Sequence, residues 1–500
     1  MRGFSLTLTG LLAATSGAAA ASQLQQPLGV SATDSRPNII LTLTDDQDLL
    51  MDSINNMPEL NHHLREKGTF YRNHFVTTAI CCLSRASLLT GRLAHNTNIT
   101  DVNPPYGEGV SKFNTLYTGK IFNAHTVDNY NTPFINGFNA SDFLLDPYTY
   151  SYLNATFQRN HDVPVSYEGQ YSTDVLVDKS LGFLHDAVHE ASPFFLTIAP
   201  LAPHSNVQSN GPIDPQSPLK ITAPPAAARH QHLFPDAQVP RTLNFNPDEL
   251  NDSNIEHNDH FYRQRLRALQ PNDILDNTYI VYTSDNGYHL SQHRLQAGKE
   301  CGFEEDIRVP FFIRGPGVAA NHTEKAVTTH IDFAPTLFEM AGLPLRSDFD
   351  GVPMPLHHVV QGPGEKARHE HVTVEFWGIA IPESGSLDAE IPPTYAVRIH
   401  STDYDLYYSV WCSNEHQLYD LKTDPYELNN LYPDPTGLQT ETTILGYPVT
   451  QVINRLDALL LVLKSYQGFD AFYYHQKKVS YSRCEYGYLV DDRSHLSGWY

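Results

Sequence analysis

The chain of 500 residues is 41% hydrophobic and carries 28 Tyr and 24 Phe, which allows about two or three domains with a sizeable core and excludes a disordered chain. Its formal net charge of −23 argues against nucleic acid or an anionic membrane as partner, because phosphate contacts need clustered Lys and Arg. An anionic substrate has to be held by a local positive site, against the average field.

Residues 1–22 read as a secretory signal, with Arg2, an apolar region from Phe4 through Leu12 and small residues from Ala18 to Ala21. No later stretch is long and apolar enough to span a bilayer; residues 458–463 are too short and belong to an amphipathic helix. A secreted chain is expected, with a vacuolar or cell-wall location as variants, and sequons at Asn98, Asn139, Asn154, Asn251 and Asn321 fit a glycoprotein.

Arg36 to Thr44 is a short apolar, β-branched run, which predicts a buried parallel strand. It ends in Asp45-Asp46-Gln47-Asp48, and carboxylates at the carboxyl end of such a strand are placed to hold a hard cation. The plainer reading is a helix cap. Met57 to Lys67 reads as a helix with Leu60 and Leu64 on one face.

The stretch from Thr77 to Arg92 contains Cys81, Cys82, Ser84 and Arg85, followed by helix formers ending at Gly91. It predicts a loop entering a helix with Cys81 near the N-terminus, where unpaired N–H groups and the helix dipole favour an anionic or nucleophilic group. Ser84 is the expected cap and Gly91 the stop. The bland alternative is that both cysteines are small buried apolar groups.

After Arg92 the chain is loop-rich through Pro104-Pro105, and Tyr106 to Phe113, ahead of Asn114 to Lys120, has too few residues for a covering helix with its turns. Residues 130–170 read as irregular with short hairpins, Asp146-Pro147 being a turn before an aromatic strand at Tyr148 to Tyr150. Tyr171 to Ala187 is a predicted helix with Ser172 or Thr173 as cap and Val175, Leu176, Leu181, Phe183 and Leu184 as its apolar stripe. Phe194 to Pro200 is a strand running to Pro203-His204, and residues 205–258 form an excursion that could line a cleft. Asp259 to Gln270 reads as a helix cut off by Pro271.

Thr278 to Ser284 is the clearest strand and delivers Asp285-Asn286-Gly287; His289, His293 and Lys299 follow. Pro310 to Arg314 is a further strand, and Thr329 to Leu337 opens a helix ending at Gly342. Beyond about residue 362 the pattern changes to strands with polar turns, at 372–377, 395–399, 404–411 and 417–421, then a helix from Val449 to Tyr466. These predict a small antiparallel sheet with a helix on it.

The Cys81 stretch resembles the sulfatase signature Cys-x-Pro-Ser-Arg-x-x-x-Leu-x-Thr-Gly-Arg, matched at Cys81, Ser84, Arg85, Leu88 or Leu89, Thr90, Gly91 and Arg92, with Leu83 where the family has proline. Three further stretches occur in the family's order: Asn38 to Asp46, Tyr117 to Lys120, and Asp285 through Pro310. The resemblance covers about residues 36–432 and extends to Leu418-Tyr419-Asp420-Leu421 and Asp424-Pro425 near the C-terminus.

It implies an α/β fold, alkaline phosphatase-like: a large mixed, mostly parallel sheet sandwiched by helices over residues 36–361, a smaller C-terminal α+β domain with an antiparallel sheet over 362–466, and a tail at 467–500. It further implies a sulfuric ester hydrolase of arylsulfatase type. Cys81 would be oxidised by a separate formylglycine-generating enzyme, because a hydrated aldehyde can attack sulfur with one hydroxyl and expel sulfate with the other. One Ca²⁺, in preference to Mg²⁺, would be held by Asp45, Asp46, Asp285, Asn286 and the modified Cys81. Arg85 would steady that residue, while Lys120, His204 and Lys299 contact sulfate or the leaving oxygen and His125 stands as a further candidate acid. His289 and His293 have no firm role. The substrate would be an aryl sulfate or a sulfated glycan. If Cys81 is consumed, Cys82, Cys301, Cys412 and Cys484 allow up to two disulfides in any of three connectivities.

Two other readings stand beside this one. A phosphate mono- or diester hydrolase of the same fold would carry Ser or Thr at the signature cysteine; a secreted glycoprotein that has lost the chemistry is motivated by Leu83 and by the two shortened helices. Those short stretches also suggest a splice variant or an imperfect gene model.

Overall fold

The computed structural model describes residues 36–97, 114–190, 192–208, 220–246, 278–356, 370–376, 394–411, 413–433 and 442–465. Both shortened helices, the leader, the tail, Cys412 and Cys484 lie outside the described residues.

Among the described residues, ten strands form one sheet in the order 322–324, 69–71, 311–314, 278–284, 38–44, 194–199, 114–119, 140–144, 156–159, 165–166. The five strands from Thr278–Ser284 to Ala140–Leu144 run parallel to one another, and antiparallel pairings flank them. The parallel centre follows from sequence. Strand Asn38–Thr44 is apolar on successive residues, so both of its faces need cover. Ile39, Leu41 and Leu43 join Leu88 and Phe333 on one side, while Ile40 joins Leu116, Phe183 and Leu196 on the other. Each such fully buried side chain contributes about 1.5–3 kcal/mol relative to exposure.

The first side is covered by helices Cys81–Thr90 and Phe333–Met340, the second by helix Ser172–His189. In the last, Leu176, Ser180, Phe183 and Ala187 face the sheet at helical spacing, and Leu181, expected in the stripe, falls off that face and is 50% exposed. Its N-cap is Tyr171, in place of the expected Ser172 or Thr173. The 57–67 helix begins at Pro58 and continues as a wide turn, with Glu66 N–H donating to Asn61 O, and it buries Leu60 and Leu64 as expected.

Residues 130–170 are more regular than expected, since Ala140–Leu144, Thr156–Arg159 and Val165–Ser166 extend the sheet. The aromatic strand expected at 148–150 is instead a turn. The described parts of the 205–258 excursion include a strand pair, Asn206–Gln208 with Lys220–Thr222.

A four-stranded antiparallel sheet follows, built from His371–Phe376, Thr394–His400, Asp405–Trp411 and His416–Asp420. Helix Val449–Ser465 lays Val452, Ile453, Leu456, Leu459, Leu460 and Leu463 on one face of it, against Ile399, Leu406 and Leu418. The opposite face, with Val372, Val374 and Tyr407, packs on Phe75, Phe303, Ile307 and Val309 of the large sheet's side. The small sheet is therefore buried on both faces, and it clamps the segment around residue 305.

Candidate active site

Register places the acids. Strands 38–44 and 278–284 pair in parallel with Thr44 opposite Ser284, so the residues just past both tips meet. Asp285 N–H donates to Thr44 O at 3.0 Å, and Asp46 N–H to Asp285 Oδ1 at 3.1 Å. Asp46 turns the chain in the left-handed region, φ 66°, a conformation that Asp tolerates better than most side chains. Gly287 follows, and its N–H donates to Asp306 O while Tyr288 N–H donates to Glu305 O. A Cβ at 287 would overlap the Glu305 carbonyl, so only glycine allows this approach.

Cys81 is the first residue of helix Cys81–Thr90, with Ile80 as N-cap and Gly91 as the left-handed stop. Ser84, expected to cap, sits a turn inside the helix and donates its hydroxyl to Asp285 O instead. Arg85 lies one turn on, on the same face as Cys81. It is fully buried, with Nε 2.9 Å from Asp285 Oδ2 and one terminal nitrogen donating to Lys120 O at 2.7 Å. Leu83 is buried with Ile80, Cys82, Ala94 and Phe376, so the departure from proline is absorbed by apolar packing.

Around the sulfur, Lys120 Nζ stands at 3.1 Å and Lys299 Nζ at 3.2 Å. Each ammonium is tied to a carboxylate, Lys120 to Asp45 at 2.5 Å and Lys299 to Asp46 at 2.6 Å. Burial, and then Asp45, push the Cys81 thiol well above its ordinary range despite the two lysines, which leaves a neutral thiol and not a nucleophilic thiolate. Lys120 is held charged: burial opposes the ammonium, and the neighbours that favour it, Asp45 first, together outweigh that.

His204 lies beyond strand 194–199. Its Nδ1–H donates to Ser205 O at 2.8 Å, which turns Nε2 toward Asp46 Oδ2 at 3.5 Å. Asp45, Asp46, Cys81 and His204 bring one ligand-type atom each within 4.8 Å of one another. Asn286 donates its amide N–H to Asp46 Oδ1 at 2.7 Å, and its buried Oδ1 has no hydrogen-bond partner. Three carboxylates and an orphaned amide oxygen are hard donors that fit a divalent cation such as Ca²⁺ or Mg²⁺.

The structure thus gathers Asp45, Asp46, Cys81, Arg85, Lys120, His204, Asp285, Asn286 and Lys299 into one cluster. His125 makes other contacts: its ring meets Phe143 edge-on, its carbonyl accepts from Asp146 N–H, and burial pushes its pKa down to about 4. His289 pairs with Asp306 and His293 stacks on Phe303.

Sequence reasoning missed Tyr150. Its ring lies 4.6 Å from Lys120 Nζ and 4.6 Å from the His204 ring, and its hydroxyl accepts from Asn123 Nδ2 at 2.7 Å. The run of aromatic residues after Asp146-Pro147 was its only signal, and that pattern reads as a strand.

A sulfatase family model matches residues 37–343, and a model of the N-sulphoglucosamine sulphohydrolase C-terminal region matches residues 293–446. The chain is 35% identical to an arylsulfatase of Volvox carteri over 88% of this chain and 76% of that protein. It is 30% identical to human N-acetylglucosamine-6-sulfatase over 81% and 82% of the two chains. A solved structure described as a complex with its substrate D-glucosamine-2-N,6-O-disulfate superposes with a TM-score of 0.66 at 20% identity, covering 86% of this chain and 97% of that one. Strand tips, helix N-terminus and sequence likeness agree: the chain belongs to the sulfatase family of sulfuric ester hydrolases.

Proposed function

We propose that the protein is a secreted arylsulfatase-type enzyme that cleaves sulfate monoesters after Cys81 has been converted to formylglycine by a separate enzyme. The observation that carries this reading is the placement of one helix-start cysteine between two buried lysines and three carboxylates. Relatives described as extracellular sulfatases support secretion, and among the described residues no helix is long and apolar enough to cross a membrane.

In this reading Asp45, Asp46, Asp285 and Asn286 hold one Ca²⁺, which supplies charge stabilisation for a sulfate oxygen and lowers the pKa of a neighbouring hydroxyl. The formylglycine would supply a hydrated aldehyde as nucleophile at the helix start. Arg85, fixed by Asp285 and the Lys120 carbonyl, orients residue 81. Lys120 and Lys299, each anchored on a carboxylate, present N–H donors to sulfate and to charge growing on the leaving oxygen. His204 is placed to protonate an alkyl leaving group, whereas a phenolate leaves with little help. Three basic side chains balance three carboxylates here, so a bound divalent ion leaves the pocket positive and able to draw an anion into an acidic protein.

Peptide mass of the secreted protein tests the reading, since conversion of Cys81 removes about 18 Da. Converted protein is expected to release sulfate from an aryl sulfate and to lose that activity with a calcium chelator. Unmodified thiol throughout the secreted pool, with no turnover, would overturn it.

A further inference from the structure

The segment between Asn286 and Lys299 carries two histidines that the reaction does not use. His289 is closed off, with Nδ1 at 2.7 Å from Asp306 Oδ1 while Asp306 Oδ2 accepts from Cys301 N–H. His293 has a different setting. Its Nε2 lies 3.8 Å from Glu305 Oε2 and 3.9 Å from Glu427 Oε2, too far for hydrogen bonds and close enough to share an ion.

Glu305 and Glu427 are 5% and 2% exposed, and Glu305 Oε2 and Glu427 Oε1 each have no hydrogen-bond partner. A buried carboxylate oxygen without a partner is costly. The neighbouring cations are engaged elsewhere: Arg398 pairs with Glu304 at 2.5 Å and with Asp405, and Arg308 pairs with Glu304 at 3.0 Å. Asn244 aligns two of the three groups, since its Nδ2 donates to Glu305 Oε1 at 2.8 Å and lies 3.2 Å from His293 Nε2. An amide nitrogen only donates, so His293 Nε2 accepts there with its lone pair; a metal would take that lone pair over from Asn244, whose other N–H stays on Glu305 Oε1.

We propose that His293, Glu305 and Glu427 form a second divalent-cation site, of the kind zinc takes, where the 304–307 helix meets the loop that follows the small sheet. Their ligand atoms converge within 4.8 Å, and none of the three belongs to the Cys81 cluster. One neutral imidazole and two carboxylates carry a charge of −2, matched by one divalent ion, and the nitrogen ligand favours a borderline metal over calcium. Three protein ligands leave a further position for water. The bound ion ties the segment leading to Lys299 to the C-terminal part of the chain.

The test titrates the full chain with Zn²⁺ against a chromophoric chelator, in excess calcium so that the hard-oxygen cluster is filled, and counts metal by mass spectrometry after dialysis. Wild type is expected to hold one zinc equivalent, and His293→Ala and Glu427→Gln to lose it. Asn244→Ala, which removes the aligning amide, is expected to weaken zinc by about 10–100-fold. Circular dichroism of the zinc-free variants verifies folding; should either main variant fail to fold, His293→Gln replaces it. Absence of a zinc equivalent in wild type, as when the carboxylates share a proton instead, overturns the proposal, as does zinc retained by folded His293→Ala and Glu427→Gln.

Discussion

The Cys81 cluster and the His293 cluster are both buried gatherings of ionisable groups, and Asp285 in the first and Glu427 in the second meet burial in opposite ways. In the first, burial alone would raise Asp285, but Arg85 and then Lys120 outweigh it and hold the carboxyl below its ordinary range. In the second, burial and then Glu304 and Glu305 push Glu427 well above its own. Asp45 belongs to the first cluster yet is raised, by burial and then by Asp285, against the pull of Lys120. Depth is similar in all three. The balance of burial and like charge against opposite charge sets the outcome, and a surplus of like charge invites a proton or a metal.

The largest predicted effect converts the first kind of cluster into the second. Arg85→Met leaves Asp285 without its guanidinium and is expected to cost about 3–5 kcal/mol in denaturant unfolding, whereas zinc-free Glu427→Gln, which removes surplus charge, should stay within about 1 kcal/mol of wild type. Equal losses in the two variants would erase the contrast. Lys120→Ala also removes one positive charge, the partner of Asp45, together with a donor in the proposed reaction, so kcat on an aryl sulfate should fall about 100-fold or more. A change confined to KM would assign Lys120 to ground-state binding alone.

Two buried histidines show a third response, which is to stay neutral. His330 Nε2–H donates to Ser284 O, its Nδ1 meets His74 Nε2, and His74 Nδ1 meets the Thr328 hydroxyl. Burial pushes the His330 pKa down to about 4, as it does for His125. The unfolded chain takes up these protons as pH falls below 6.5, and the folded chain refuses them until about 4, so stability rises with pH across this window. His330 alone accounts for about 3 kcal/mol. Thermal melts from pH 7 to about 4 should show the slope, reduced in His330→Asn; an unchanged slope would remove His330 from the account.

The smallest effect concerns Tyr150, the ring beside Lys120 and His204. Tyr150→Leu should cost about 1 kcal/mol in kcat/KM through the lost cation–π contact, with most of it restored by Tyr150→Phe. Equal loss in both variants would shift the role to the hydroxyl and Asn123.

The parallel centre of the large sheet was legible because its strands are apolar on successive residues, which only a sheet covered on both sides requires. The acids, Lys120 and His204 stand just past strand ends, but position alone left each of them open to a plainer reading, and the resemblance to the sulfatase signature is what singled them out. The extension over 140–166 was hidden by polar, turn-rich residues that pair only once an edge is present to receive them. Ser84 was misread as a cap because its hydroxyl has a distant partner, the Asp285 carbonyl. Asn244, Glu305 and Glu427 left no local pattern at all, because their meeting depends on how the small sheet docks. Spacing along a chain reports neighbours within one element, and these residues come from three.

Gly287 joins the two clusters mechanically. Its missing side chain lets the strand tip bearing Asp285 and Asn286 lie flush against the backbone of Glu305 and Asp306, held by two hydrogen bonds. A displacement that begins at the C-terminal lobe therefore has a rigid lever, a few bonds long, to the reacting centre. An alanine at 287 would wedge that seam apart, and the pocket would lose its alignment while every charged residue remained in the sequence.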